Sequence, residues 1–159
     1  WWALAGSALM LAAAHAFETF GGYQPCTLCL RQREVSWVAG TVAIAGLLGT
    51  RLPSVRRWRW LFHLALAAIF LVGMGIAVWH AGAEWKWWPG PKTCSGTGAG
   101  VSLDALSAIA DGTAKIRPPA CDEAAWRMFG LSMAGWNVLI SLKLAAYSIA
   151  AFVIDRRTR

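Results

Sequence analysis

The sequence predicts an all-α integral membrane protein, a four-helix bundle with a long extracytoplasmic loop between helices 3 and 4. Three observations carry this expectation. Hydrophobic residues make up 57% of the 159 positions and charged residues only 14%, well under the ~25% charge of an average soluble domain. The apolar residues come in long blocks separated by short polar stretches, and four blocks approach the ~20 residues that cross a bilayer as a helix. None of them alternates with the period of two that marks a membrane β-strand.

The four expected spans are about 1–17, 30–50, 58–80 and 131–154, and together they form a single transmembrane domain. The chain opens on Trp1 without a Met, so residues ahead of it are expected. The first block is apolar enough to resemble a signal peptide, but further spans follow it and no soluble domain does, so it reads as a helix that stays.

Charge sets the orientation. The loop 51–57 and its edge hold Arg51, Arg56, Arg57 and Arg59 with no acid, and the C-terminus holds Arg156, Arg157 and Arg159. Basic residues just beyond apolar spans mark the cytoplasmic side. The outer loops are then 18–29 and 81–130. In the second, Lys86, Lys92, Lys115, Arg117 and Arg127 are offset by Glu84, Asp104, Asp111, Asp122 and Glu123. The net charge of +7 is largely used by this asymmetry, which leaves no basic face for nucleic acid. Tryptophans fit the same frame: Trp79, Trp85, Trp87 and Trp88 crowd the outer end of the third span, and Trp58 and Trp60 its inner end. An amphipathic ring favours the lipid–water interface. Within the long loop, Ser102 is placed to cap a short surface helix running to Ala110.

The chemistry concentrates in four cysteines. Cys26, Cys29, Cys94 and Cys121 all fall on the outer side, where the environment is oxidising. Cys26-Thr27-Leu28-Cys29 follows Pro25 at the mouth of the second span. A helix N-terminus carries partial positive charge, which lowers a thiol pKa and favours the thiolate that attacks disulfides and quinones. Cys94 and Cys121 lie far apart in the long loop, where a disulfide between them would be open to a soluble partner or would simply close the loop. A zinc site would need a second close pair, which these two do not supply.

Arg33 stands four residues after Cys29 on the same helical face. An arginine at an outer membrane end is costly and so implies a task, such as stabilising the Cys29 thiolate and a reduced quinone oxygen. His80 ends the third span and suits proton or hydrogen-bond donation to a quinone carbonyl. Glu18, Gln32 and Glu34 are expected to form a polar network with Arg31 and Arg33. His15 and His63 read as structural. Lys143 falls near the middle of the fourth span, where a charge must pair inside the bundle or snorkel.

The run Gly21-Gly22-Tyr23-Gln24-Pro25-Cys26-Thr27-Leu28-Cys29-Leu30-Arg31-Gln32-Arg33 resembles the signature of the DsbB family. Trp87-Trp88-Pro89-Gly90-Pro91-Lys92-Thr93-Cys94 and Met128-Phe129-Gly130-Leu131-Ser132-Met133-Ala134-Gly135-Trp136-Asn137 resemble it too, so the likeness covers almost the whole chain. The resemblance implies a membrane thiol oxidase that reoxidises a periplasmic thioredoxin-fold dithiol oxidase of the DsbA type. It implies that the reduced partner attacks Cys94, that Cys121 is freed to pass electrons to Cys26, and that Cys29 delivers them to ubiquinone, with menaquinone the alternative. It also implies that Arg33 and His80 lie at the quinone. Lys143 and Arg31 depart from the family pattern.

Two other readings compete. The vitamin K epoxide reductase type also joins four spans, a Cys-x-x-Cys and a quinone, but there the Cys-x-x-Cys follows the loop cysteines, whereas here it precedes them. A membrane scaffold or small transporter with purely structural disulfides would keep all four cysteines paired and inert. A transporter would also be expected to show broken helices.

Overall fold

The computed structural model describes residues 1–91 and 121–158. The expected helix Ser102–Ala110 and Cys94 lie outside the described residues. The described chain is mostly helical: α1 (Trp2–Thr19), α2 (Thr27–Gly49), the one-turn α3 (Pro53–Arg56), α4 (Arg59–Glu84) and α5 (Met133–Arg157). The four long helices cover the four apolar blocks, each extending two to four residues past one expected end and stopping one or two short of the other. α4 and α5 are long and apolar enough to cross a membrane. α1 has only 18 residues, about 27 Å of helix, and carries His15 and Glu18. α2 spends its first turns on Arg31, Gln32, Arg33 and Glu34.

Local chemistry sets the helix ends. The Cys26 sulfur caps α2 by accepting from the Cys29 N–H. Pro53 opens α3, where its missing N–H costs nothing. The Ser132 hydroxyl caps α5 by accepting from the Gly135 N–H at 3.1 Å. At the opposite end of α5, Arg156 and Arg157 occupy the last turn, where the helix dipole favours cations.

Helix contacts run from α1 to α2, to α4, to α5 and back to α1, with α4 against α5 the largest. Ala39, Ala43, Leu66, Phe70, Leu144 and Ala145 form the core. Small residues bring the backbones close: Gly46 faces Phe62, and Gly73 faces Val35. This is how helices pack where apolar surroundings offer no hydrophobic drive of their own. Outside, Trp37, Ile44, Leu48, Leu64, Val72, Leu139, Leu142 and Ile149 are exposed. Lys143 stands among them rather than inside the bundle, with its ammonium 5.9 Å from the centre of the Tyr147 ring.

One feature departs from the all-helical expectation. Arg127–Met128 and Leu131–Ser132 pair as a small antiparallel hairpin, β1 and β2, just ahead of α5. Its two-residue turn, Phe129-Gly130, has positive φ at both positions, 52° and 80°. That is the I′ geometry which matches strand twist. Such a hairpin is too short to show as a periodic pattern, and only Gly130 signals it. At the other edge of the site, Trp88 folds back on α4, and its indole N–H donates to the Trp79 carbonyl at 2.8 Å. Gly82 leaves the space for that ring, because a Cβ there would overlap it.

Candidate functional site

The site forms where the N-terminus of α2 meets the C-terminal end of α4 and the residues just before β1. Cys26, 5% exposed, packs with Leu28 and the fully buried Cys121. Cys29 and Ile76 border the cluster. Cys26 and Cys29 are free thiols, and the Cys26 thiol donates to the Cys29 sulfur at 2.9 Å. Cys121 is in a disulfide, and its sulfur lies 3.7 Å from the Thr27 hydroxyl.

The helix N-terminus was expected to lower a thiol pKa in this pair, and the two thiols differ. The hydrogen bond to Cys29, together with burial, pushes the Cys26 thiol well above its usual range. The two sulfurs share a hydrogen bond at 2.9 Å, and the Cys26 sulfur also accepts from the Cys29 N–H at 3.3 Å. The helix terminus acts on the pair unequally, because one member is the cap itself and the other lies inside the first turn.

His80 reaches the pair from α4. Its Nε2 is 3.6 Å from the Cys26 sulfur and 3.6 Å from Oε1 of Glu84, one turn further along the same helix. Its Nδ1 lies 2.9 Å from the Gln32 amide. Gln32 in turn accepts a short hydrogen bond from the Asn137 amide of α5. The Asn137 carbonyl accepts from Ser141 at 3.0 Å. Three helices thus share one polar chain, Ser141–Asn137–Gln32–His80. Gln32 was expected to join the arginines, but it serves the histidine instead. Asn137 and Glu84 went unassigned in the sequence. The i,i+4 spacings of His80 with Glu84 and of Asn137 with Ser141 are the signals that carry them.

Arg33 is mostly buried, its side chain 15% exposed, and is pinned by Glu18 at 2.5 Å and by the Ala14 carbonyl of α1 at 3.1 Å. Its charge favours a thiolate at Cys29. Arg31 instead faces outward and pairs with Glu34 at 2.9 Å, both exposed. His15 is exposed near Glu18. His63 lies at the opposite end of α4, beside a cavity of about 320 Å³ lined by Arg56, Arg59 and Phe62. There Arg59 pairs with the buried Asp155.

Three ligand-type atoms, from Cys26, His80 and Cys121, lie within 4.8 Å of one another. A soft cation would want thiolates there, and the Cys121 sulfur is instead part of a disulfide. A thiol beside a disulfide sulfur, with an imidazole touching that thiol, is the arrangement for thiol–disulfide exchange.

Comparison with known proteins gives one answer. The family model described as "Disulfide bond formation protein DsbB" matches residues 1–151. "Disulfide bond formation protein B" of Dechloromonas aromatica is 28% identical over 150 residues, covering 91% of this chain and 84% of that protein. The protein of the same name from Methylococcus capsulatus is 29% identical over 154 residues, covering 89% and 85%. "Disulfide bond formation protein B 2" of Pseudomonas entomophila is 28% identical over 157 residues, covering 96% and 88%. No solved structure matches the chain.

Proposed function

The chain belongs to the DsbB family of membrane disulfide-forming oxidoreductases, and on that premise we propose that it moves electrons from periplasmic thiols to a membrane quinone. In this reading it is a thiol:quinone oxidoreductase of the bacterial inner membrane. α1, α2, α4 and α5 all cross the bilayer as one transmembrane domain. The basic loop between α2 and α4 and the C-terminus face the cytoplasm, as the positive-inside bias requires. The cysteines face the periplasm. The outward-facing Leu, Ile, Val and Trp side chains of the four helices supply the lipid-facing surface. Lys143 snorkels along Tyr147.

The observation that carries the reading is the gathering of sulfurs. The Cys26–Cys29 pair sits at 2.9 Å, and Cys121 has its sulfur within 4.8 Å of Cys26. Electrons need only two exchange steps to cross this cluster. We assign Cys94 as the partner of Cys121 and as the sulfur attacked by a reduced DsbA-like thioredoxin-fold oxidase. Attack there releases Cys121, which attacks Cys26 of an oxidised Cys26–Cys29 disulfide. A Cys121–Cys26 bond forms, the Cys26–Cys29 bond breaks, and its electron pair stays on Cys29 as a thiolate. Arg33, one turn along α2, favours that thiolate.

Cys29, Arg33 and His80 are the residues that would hold a quinone. Arg33 fits the task, since Glu18 and the Ala14 carbonyl occupy only part of its five-donor fork. Ubiquinone, with menaquinone as the alternative, supplies when bound an acceptor for two electrons and two protons. The chain's own contribution is to present one thiolate, to hold a cation beside it and to keep both near the helix mouth.

The test is reduction of a soluble quinone analogue by the purified protein, with a reduced thioredoxin-like dithiol oxidase as donor. Quinone-dependent oxidation of the donor is expected in wild type and is lost in Cys29→Ser. Absence of turnover by folded, oxidised wild-type protein with several quinones would sink the reading.

A further inference from the structure

Glu84 is a buried carboxylate that the thiol-to-quinone path does not use. It is 8% exposed, and its Oε2 has no hydrogen-bond partner among the described residues. Its other oxygen lies 3.6 Å from Nε2 of His80, and the same nitrogen lies 3.6 Å from the Cys26 sulfur. The imidazole therefore stands between a thiol and a carboxylate. A buried carboxylate with an open acceptor position is costly unless a positive charge or a proton visits it. Ser132 and Arg127 act on it from the hairpin side, and His80 stands on the side of the sulfurs.

The other side of the ring is built to permit this. For Nε2 to take up a proton, the neutral ring must carry its own proton on Nδ1, which then donates. Behind Nδ1 stand the Gln32 amide, the Asn137 amide and the Ser141 hydroxyl. Each of these groups both donates and accepts. The whole chain can turn around, so that Nδ1–H finds the Gln32 carbonyl instead of its NH₂. A lysine or carboxylate in place of Gln32 would fix one tautomer, and an apolar residue would serve neither.

We infer that Glu84 is a positioning residue for sulfur exchange, holding His80 as the base that takes the proton of the thiol passing between Cys121 and Cys26. This rests on the reading above. In balanced form, Cys121, expelled from its disulfide as a thiolate and reprotonated from solvent, attacks Cys26 of the Cys26–Cys29 disulfide as a thiol. The Cys121–Cys26 bond forms, the Cys26–Cys29 bond breaks, Cys29 leaves as thiolate, and the Cys121 proton goes to His80 as imidazolium against the Glu84 carboxylate. The other titratable and charged groups facing this pair are Cys26 and Cys29 from α2, Arg127 from β1 and, behind Cys29, Arg33. Positive charge is thus held at the edges of the site and the Glu84 carboxyl at its centre, next to the ring.

The test isolates this step. The full chain in lipid nanodiscs is oxidised with diamide, so that no quinone is needed, and is mixed with dithiothreitol. It is then quenched in acid at intervals and alkylated, and its thiols are assigned by mass spectrometry from about pH 5 to 9, the range that spans histidine titration. A Cys121→Ser chain measures direct attack on the inner pair. Glu84→Gln is expected to slow the appearance of the Cys29 thiol about tenfold or more, with the opening of the Cys121 disulfide unchanged. It is also expected to displace the acid limb of the rate profile toward lower pH, because the imidazolium loses its counter-charge. Glu84→Asp restores part of the rate. The inference is overturned if the Glu84→Gln profile superimposes on wild type, or if both thiols appear more slowly by the same factor, as a merely structural loss would produce. A wild-type chain that exchanges its disulfides but reduces no ubiquinone analogue would overturn the thiol-to-quinone reading and leave this one standing.

Discussion

The Cys26 sulfur lies 3.6 Å from Nε2 of His80, a residue 54 positions further along the chain and on another helix. This contact ties the reactive pair at the mouth of α2 to the end of α4. It also places the histidine at the inner member of the exchange rather than in open solvent.

Replacing that ring should therefore act on chemistry and not on donor binding. His80→Asn keeps a polar group near Gln32 but withdraws the base from Cys26. Steady-state assays with a thioredoxin-fold donor are expected to show kcat lower by about 100-fold, the scale of a positioned acid–base group, with the donor KM unchanged. A rise in KM with kcat intact would place His80 in partner docking instead.

Gln32 sits at the centre of the polar chain, bonded to His80 on one side and Asn137 on the other. Gln32→Leu strands both neighbours in a partly buried site. An unsatisfied buried polar group costs about 1–3 kcal/mol, so a clear drop in the unfolding temperature is expected, read through tryptophan fluorescence. Gln32→Glu keeps a partner for Asn137 but can accept only, fixing Nδ1–H on His80. It should retain stability better than the leucine variant. Equal melting of wild type and Gln32→Leu would mean the chain of amides carries no load.

Much of this was readable in the sequence, and the limits have physical causes. Four long helices follow from four apolar blocks, because period and length are local properties. The Cys26–Cys29 pair, its place at a helix mouth and the position of Arg33 on the Cys29 face follow from spacing. The partners of Gln32 did not follow, because Asn137 is 105 residues away and a polar residue near arginines looks like their neighbour. Glu84 was counted as loop charge, since the third span was ended at His80, whereas the helix α4 continues to Glu84. The Met128–Leu131 hairpin is fixed by a two-residue turn, below the resolution of any periodic pattern.

Close approach of Gly82 and Trp88 gives a prediction about the frame of the site. A Cβ on Gly82 would overlap the indole ring, which is held by the Trp88 N–H to Trp79 carbonyl bond. Gly82→Ala must therefore expel the ring or shift the end of α4 that carries His80 and Glu84. Overpacking of this kind costs about 1–3 kcal/mol. The variant should melt earlier and show altered near-ultraviolet tryptophan dichroism, whereas Gly75→Ala, with open space around its Cα, should do neither. An unshifted spectrum in Gly82→Ala would show that Trp88 does not rest on α4 in solution.

The segment after Cys121 is fastened to the end of α4 by the Lys86–Asp122 pair at 2.7 Å. The Lys86 ammonium holds the Asp122 carboxyl below its usual range. A depressed carboxyl contributes above the pKa of the unfolded chain, about 3.9, and loses that contribution as pH falls through its lower folded value. At neutral pH the fastening is complete, and it weakens only in strong acid. Both side chains are exposed, so the effect is small and screened by salt. Opening of the Cys121 disulfide by a phosphine reductant, which works across this pH range, reads it directly. Asp122→Asn should open about twofold faster than wild type at neutral pH and low salt. The ratio should fall toward one as the solution is acidified or salt is raised. A ratio that grows in acid would have the wrong sign for a carboxylate held by a lysine, and would show that Asp122 restrains the disulfide by some other contact.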